Sequence, residues 1–455
     1  MRYVLRRMAV CLQYWPQLSA LYLLGLLGRE GSIHLAAWAG HNNNVWASLI
    51  MPLAGLARLG SYVGMFLVLR PAFPEFAADP VRPRRGINLF GSVIVPFFAI
   101  YLAWQMFKED WLAFESQALQ YRIDEAMTST RPTELHADTL PVSGTTLVII
   151  LVALATRMIL RRLSERLPKW TVILRVYVDA LWVFMVLTFS VNRGVTLLTN
   201  PSGWVKERRV VVWLNDLVNS ALTPFHPLQV AWRTVTGAAG AVFGGAAVPL
   251  MWLAVAGIVY GISTRTTWLS AGRRVAGNWA DVVSERTARR RGAWKKRWDA
   301  LPKALRDSSR EDAADKLGKY KPLAESARTI AHGGLCGLSV YVLAYLILAW
   351  LDMSGSYYSG QLGSGYLFRG MAMLLGPHPI EFWNGVGGGL ALLSHLIVEP
   401  LRISVVATAF AYCVHHSRLA AQKSHHQAEQ DHAPRTDDVD GRGGGVGGDF
   451  KGQLQ

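Results

Sequence analysis

The sequence predicts an all-α polytopic membrane protein of about eight transmembrane helices, with both termini in the cytoplasm. Of its residues, 51% are hydrophobic and only 17% are charged, below the roughly 25% charged residues of soluble domains. The chain also carries 17 Trp residues and a formal net charge of +16. Apolar, Trp-rich and basic composition is typical of membrane proteins. Three cysteines are too few for a disulfide-stabilised secreted scaffold.

Eight windows are long and apolar enough to cross the hydrocarbon core, which takes roughly 20 residues. They are 9–28, 46–69, 88–107, 143–160, 171–191, 240–262, 333–351 and 384–414. Arg2, Arg6 and Arg7 precede the first window, as they would in a signal peptide. Because no small-residue cleavage site follows a short apolar core, we interpret this window as an anchor that is retained.

The distribution of Lys and Arg predicts the orientation. With the N-terminus inside, the cytoplasmic segments carry 33 Lys and Arg residues and the external loops carry nine. Cytoplasmic loops hold the excess of basic residues in membrane proteins, and one span more or fewer would invert every later loop. We therefore expect a multi-pass protein of the cell or inner membrane. Its Arg-, Ala- and Gly-rich usage is typical of a bacterial protein from a GC-rich genome.

Two external segments, near 109–127 and 204–222, have the periodicity of amphipathic helices. From Val210 onward, apolar residues including Trp213 recur at i, i+3, i+4, i+7, i+8 and i+11, which places them on one helical face. The segment that starts at Trp111 shows a weaker version. These helices either lie on the membrane surface or pack on the protein's own spans, and packing is the simpler expectation.

The segment 263–330 is the largest predicted cytoplasmic loop, with 17 basic and eight acidic residues. Trp294, Trp298, Leu301 and Leu305 recur there with helical spacing beside basic residues. A basic amphipathic helix with Trp fits anionic lipid headgroups. Because spans tether the loop on both sides, lipid is the nearer anion and we do not expect nucleic acid as a partner. A solvated loop that only fixes topology is an equal alternative.

The tail 417–455 is polar, rich in Gly and without apolar periodicity, so we expect it to be disordered. Histidine pairs occur at 415–416 and 425–426. No predicted fold holds them, so they predict no metal site.

Two stretches repeat one pattern of residues. Trp232 and Trp383 each follow a Pro-flanked His, and Pro249 and Pro400 come 17 residues after the respective Trp. The stretches between them are Gly-rich, which permits close helix approach, and the Pro frees a backbone carbonyl. We expect internal repeats, either four hairpins or two halves of four spans. Their axis would run along the membrane normal.

Charges inside the predicted spans are the strongest functional signal. A charge at the bilayer centre costs about 3 kcal/mol, so such residues are candidates for function. The candidates for a substrate or proton pathway are Arg58, Arg175, Asp179, His395, Glu399 and Arg402. Arg175 and Asp179 are one turn apart, and the last three residues share a helix face at i, i+4 and i+7.

Helix geometry suggests that some of these charges meet. At 1.5 Å per residue, Asp179, Arg58 and Arg402 lie roughly 14–18 Å from the cytoplasmic helix ends. We expect contact if their spans are neighbours, whereas Arg157 should extend to the headgroups. The alternative is a buried ion-pair network that specifies helix packing and binds no substrate.

Motifs of several enzyme classes are missing. The chain has no G-x-x-x-x-G-K-[ST], H-E-x-x-H, G-x-S-x-G or C-x-x-C. Cys11, Cys336 and Cys413 fall in or at the ends of spans, as small hydrophobic residues do. His226 and His378 would bind a metal or a headgroup, or belong to a His-Pro turn at a helix start, which is the simpler interpretation. We therefore predict no cofactor, no metal and no catalytic residue.

Three functional hypotheses follow. The leading one is a transporter or permease-like protein that moves an anionic or lipidic solute through the charged network. The alternative is a non-catalytic membrane subunit or scaffold of a cell-envelope complex, which docks partner proteins through its external helices and basic loop. The third is a membrane-embedded enzyme that acts on a lipid-linked substrate.

Overall fold

The protein is all-α in the parts that the computed structural model describes. These parts are residues 2–40, 44–77, 93–94, 97–98, 101, 106–128, 144–162, 168, 171–192, 245–261, 273–274, 324–352 and 365–432. Within them, 94% of the residues are α-helical and no strand occurs. The all-α class predicted from the sequence is confirmed.

The helices are numbered here in chain order. They are α1 (Arg2–Leu12), α2 (Trp15–Gly40), α3 (Asn44–Ile50), α4 (Pro52–Leu69), α5 (Pro74–Ala77), α6 (Met106–Thr128), α7 (Gly144–Arg162), α8 (Thr171–Asn192), α9 (Gly245–Tyr260), α10 (Gly334–Asp352), α11 (Tyr366–Leu375) and α12 (Ile380–His432).

Among the described residues, three helical stretches are long and apolar enough to cross a membrane: Val45–Ala72, α10, and Ile380–Gln422 within α12. The pair α1 and α2 adds a fourth if it forms one bent span. These stretches overlap the predicted windows 46–69, 333–351, 384–414 and 9–28. Shorter apolar helices at Val148–Leu160 and Gly245–Tyr260 overlap two more windows. The count of eight spans, the orientation and the repeats stay predictions.

The first predicted window, 9–28, does not form one straight helix. α1 and α2 meet at an angle of 63°, across a turn at Gln13 and Tyr14. Pro16 explains the break, because it lacks a backbone N–H and disfavours helical geometry in the residue before it. α2 then continues to Gly40, well beyond the predicted end at residue 28.

The sequence predicts a disordered tail from about Ser417 onward. This prediction is wrong for the first residues of the tail. α12 spans 53 residues and continues to His432. Residues 418–432 contain Ala, Gln, Lys and Glu, which have high helix propensity, and the next proline is Pro434.

Helix α2 packs closely against α4, and α12 packs against α1, α2, α4 and α10. A Cβ at Gly25 would lie 2.3 Å from Ser61 Cβ, and Ser61 Oγ donates to the Leu21 carbonyl at 3.0 Å. Such close approach through small residues is typical of helix pairs in membranes. The two helices are therefore held backbone to backbone beside α12.

Aromatic side chains fill the core where α5, α9 and α12 meet. The Tyr260 ring stacks on Phe76 with centroids 4.1 Å apart and on Phe410 at 6.0 Å. All three rings are almost completely buried, so α9 belongs to the same core as α12.

Several predicted features lie outside the described residues. They include Trp213, Trp294, Trp298, His226, the helix near 204–222, almost all of 263–330, most of 88–107, the first copy of the repeat before residue 245, and the tail after residue 432.

The α2–α4 packing generates a prediction. Gly25→Ala should lower the free energy of unfolding by about 1–3 kcal/mol, since the added Cβ forces two packed helices apart. Thermal unfolding of the protein in detergent micelles measures the effect. Gly31→Ala, on the same helix, is the matched control because its Cβ would meet nothing within 4 Å. Equal unfolding temperatures for the two variants would contradict the packing account.

Candidate functional site

α12 places three ionisable side chains on one face. His395, Glu399 and Arg402 lie on successive turns, as the sequence predicted. Glu399 is 4% exposed and Arg402 is 5% exposed, so this face turns into the protein. Most other residues in this part of α12 are apolar. A helix that is apolar on most sides lies in the interior of a protein, so its polar groups are internal as well.

Only one oxygen of the Glu399 carboxylate has a hydrogen-bond partner among the described residues. Its Oε1 accepts a hydrogen bond of 2.6 Å from Arg402 Nη1, which forms an ion pair at i, i+3. Its Oε2 is buried and has no hydrogen-bond partner among the described residues. A buried carboxylate oxygen without a partner is costly and unusual.

Asp352, at the end of α10, completes what we call the α10–α12 cluster: Asp352, Ser394, His395, Glu399 and Arg402. Ser394 Oγ donates to Asp352 Oδ1 at 2.7 Å, and His395 Nδ1 lies 2.8 Å from Oδ2. Arg402 Nη2 lies 3.7 Å from the same Oδ2. Arg402 is thus positioned between two carboxylates, one from each helix.

Sequence reasoning missed Asp352 because it follows directly after the apolar run 333–351 and was counted with an external loop. The available signal was its position directly after an apolar run, together with a His and an Arg in a later span that need a carboxylate partner. Only the tertiary approach of α10 to α12 identifies it as a partner.

A break in the helices lies beside this cluster. α10 ends at Asp352, and α11 starts after Gly365, which provides no side-chain cap. A Cβ at Gly365 would lie 2.4 Å from both the Leu351 oxygen and the Asp352 carbonyl carbon. The backbone of Gly365 therefore contacts the end of α10, and the cluster lies where one helix stops and another begins.

Helices α2 and α4 also pack against α12 beside the cluster. The Arg402 guanidinium lies 5.7 Å from the centre of the Tyr345 ring on α10. The cluster therefore lies where α10, α2 and α4 pack on α12.

A second group of charges, which we call the α6 cluster, surrounds Asp110. Asp110 Oδ1 accepts from Arg29 Nε at 2.5 Å and from Arg58 Nη2 at 2.8 Å, while Tyr101 OH donates to Oδ2 at 2.5 Å. Glu109 Oε2 lies 3.2 Å from Arg58 Nη2. Asp110 is completely buried, so α6 is fixed to α2 and α4 through one carboxylate.

Arg58 links the two clusters. The sequence placed it near Arg402, and its charge does act on Glu399. Its ion-pair partners, however, are Asp110 and Glu109, which the sequence assigned to an external loop. Arg29, also assigned to a loop, lies inside α2.

Of the two remaining candidates, Arg175 and Asp179, Asp179 pairs with Arg157. Asp179 does not meet Arg58 or Arg402; its Oδ1 lies 2.6 Å from Arg157 Nε. The Arg157 guanidinium also lies 4.9 Å from the centre of the Trp182 ring. The expectation that Arg157 extends to the headgroups is therefore wrong, because an opposite charge and an aromatic ring on α8 hold it. No ion pair joins Arg175 to Asp179 among the described residues.

His378 lies in the turn between α11 and α12. Its Nε2 lies 3.0 Å from the Leu375 carbonyl, and its own carbonyl accepts from Trp383 Nε1 at 3.1 Å. These bonds match the His-Pro turn at a helix start. In the described part of the chain, no three His, Cys, Asp or Glu residues lie close enough to share a metal ion.

Fold and site together define an all-helical protein with membrane-length apolar helices and a buried charge cluster at a helix break. No known family model, curated protein or solved structure matches the chain.

The α6 cluster generates a prediction. Asp110→Asn should lower the free energy of unfolding by about 3 kcal/mol, because Arg29 and Arg58 lose the buried carboxylate that they share and keep only the more exposed Glu30 and Glu109. Thermal unfolding in detergent reports the change.

Glu30→Gln is the matched control for this variant. Glu30 also pairs with Arg29, but its side chain is 43% exposed, so the loss should stay below about 1 kcal/mol. If both variants lost the same stability, Asp110 would not anchor α6.

Proposed function

We propose that the protein is a transporter or permease of the cell membrane that moves an anionic or lipidic solute, with Glu399 as its proton-exchanging group. The proposal includes the predicted arrangement of eight spans with both termini in the cytoplasm. One observation carries the proposal: a fully buried carboxylate that has one oxygen paired with Arg402 and the other oxygen unpaired.

With ionised Asp352 and neutral His395, the charges of Asp352, Glu399 and Arg402 sum to −1 when Glu399 is ionised and to zero when it is protonated. Protonation also releases Arg402 from its ion pair with Glu399, while Asp352 Oδ2 stays 3.7 Å away. An anionic group of the solute would therefore be repelled less and would pair with Arg402. Proton binding at Glu399 and anion binding at Arg402 would then favour each other, which is the requirement for coupling.

The end of α10 at Asp352, in contact with Gly365 at the start of α11, supports this interpretation. Transporters place their substrate and ion sites where helices end or unwind inside the protein and irregular backbone lines a cavity. Intramembrane ionisable residues that face the interior of a bundle are likewise associated with solute and proton pathways. Here the helix break and the ionisable residues occur at the same place.

A membrane subunit of an envelope complex is the second candidate, and the hairpin of α11 and α12 favours it. At its tip, Met373 is 87% exposed, Leu374 is 89% exposed and Ile380 is 67% exposed. Contiguous exposed apolar surface marks contact with a protein or with lipid. In this alternative the hairpin docks a partner and the charged clusters only fix helix packing.

Glu399→Gln tests the transporter proposal. Inverted membrane vesicles that contain the protein would be energised with a proton gradient and offered a panel of organic anions and short-chain anionic phospholipids. We expect at least one anion to accumulate above the level in vesicles without the protein. The variant should abolish that accumulation, because its amide cannot exchange a proton.

Glu381→Gln is the matched control, since Glu381 lies in the first turn of the same helix and is exposed. Both variants should be present in the membrane at the wild-type amount. Absence of any accumulated anion, or accumulation that survives in Glu399→Gln, would refute the proposal.

The subunit alternative makes its own prediction. Leu374→Ser should release a stoichiometric envelope protein that copurifies with the wild-type chain in mild detergent, because it places a hydroxyl in an apolar contact. Glu399→Gln should retain that partner. Purification of the wild-type chain without any partner would remove this candidate.

A further inference from the structure

His395 and Asp352 form a pair that the transport proposal does not use. Asp352 has both oxygens occupied, Oδ1 by Ser394 and Oδ2 by His395. The His395 side chain is 26% exposed, whereas the Asp352 side chain is 0% exposed. His395 is therefore the exposed member of this pair, and it connects the α10–α12 cluster with its surroundings.

We infer that His395 is the proton-relay residue that loads and unloads Glu399, and that Asp352 positions it. This inference rests on the proposed function, since it names the route by which the proton of that site enters. His395 and Glu399 are at i and i+4 on α12, and side chains with this spacing are neighbours on a helix.

The hydrogen bond to Asp352 determines which nitrogen exchanges the proton. An ionised carboxylate only accepts hydrogen bonds, so His395 Nδ1 carries the hydrogen that it donates to Oδ2, at 2.8 Å. The neutral ring then has its lone pair on Nε2. Carboxylates commonly fix the tautomer and orientation of an imidazole in this way.

The step balances without any other reactant. A proton from water binds Nε2 of neutral His395 and gives an imidazolium. The imidazolium then releases a proton from Nε2 to Glu399, either directly or through one water, which forms the O–H bond of a neutral carboxylic acid and restores neutral His395. The unpaired Oε2 of Glu399 is the acceptor, because Oε1 is held by Arg402.

Charged and titratable groups from each neighbouring helix face this route. They are Glu399 and Arg402 on α12, Asp352 and Tyr345 on α10, Arg58 and Tyr62 on α4, and Tyr22 on α2. Arg402 disfavours a second positive charge on His395, and it also favours the ionised form of Glu399, so it acts on both groups of the relay. An intramembrane imidazole is also expected to face water within the protein rather than lipid.

Time-resolved infrared spectroscopy after a jump to acidic pH tests the relay in the purified full-length protein. The C=O stretching band of a protonated carboxylic acid that is present in the wild type and missing in Glu399→Gln belongs to Glu399. We expect His395→Ala to slow the appearance of this band by about 100-fold, as loss of a positioned proton-transfer group does. Added imidazole should restore the rate.

His378→Ala is the matched control, because His378 is exposed and bonds only to backbone within its own turn; its rate should equal that of the wild type. If His395→Ala does not fold, His395→Gln replaces it, since the Gln amide can keep the hydrogen bond to Asp352 but cannot relay a proton. This variant should show the same slowing with a wild-type unfolding temperature.

The outcomes separate the relay from the transport function. An unchanged rate in the His395 variant, or a slowing of His395→Ala that imidazole does not relieve, overturns the relay and leaves Glu399 as the exchanging group. Absence of a Glu399 band in the wild type overturns the relay and the proposed function together.

Discussion

Charge buried in an apolar helical bundle must meet opposite charge, because a lone ion in a medium of low dielectric constant costs several kcal/mol. This constraint explains which helices are neighbours in the described part of the protein. Asp352 of α10 faces Arg402 of α12, and Asp110 of α6 holds Arg58 of α4. Each pair joins residues far apart in sequence, so the charges specify the packing of helices whose apolar faces alone would permit several arrangements.

Glu399 differs from the carboxylates that join the helices. Asp110 and Asp352 have both oxygens occupied by donors, whereas Glu399 keeps one buried oxygen without a donor among the described residues. Glu75 also keeps such an oxygen, but it pairs with Tyr3 and Arg7, outside the α10–α12 cluster. A group that alternates between an ionised and a protonated form needs one oxygen free to take the proton, so the geometry at Glu399 is compatible with the proposed exchange.

Local patterns in the sequence predicted much of the fold. Apolar runs found the membrane-length helices at 46–69, 333–351 and 384–414, since hydrophobic length is a local property. Helical spacing also placed His395, Glu399 and Arg402 on one face. The break at Pro16 was missed, although a proline within an apolar run is a recognisable signal.

Ion pairs between residues on different helices could not be predicted from local patterns in the sequence. Asp110 and Asp352 lie just beyond apolar windows, so the sequence places both in loops. Depth along a helix is predictable, and it puts Asp179, Arg58 and Arg402 at a similar level. Contact among them was expected only if their spans are neighbours, and the neighbours of a helix are not predictable from its own sequence. Ion pairs between helices depend on which helices pack together in the tertiary structure. This packing leaves no fixed residue spacing in the sequence.

We propose that the charges of Glu399, Arg402 and Asp352 serve function and are not needed for folding. The triple variant Asp352→Asn, Glu399→Leu, Arg402→Met tests this directly, because it removes Arg402 together with both of its carboxylates, and apolar or neutral replacement of a complete buried ion-pair set is often neutral or stabilising. Its unfolding temperature and its proton-driven anion uptake would be measured on the same preparation. We predict an unfolding temperature at or above that of the wild type, together with complete loss of uptake. A triple variant that unfolds at a much lower temperature would contradict this proposal and make these charges packing elements.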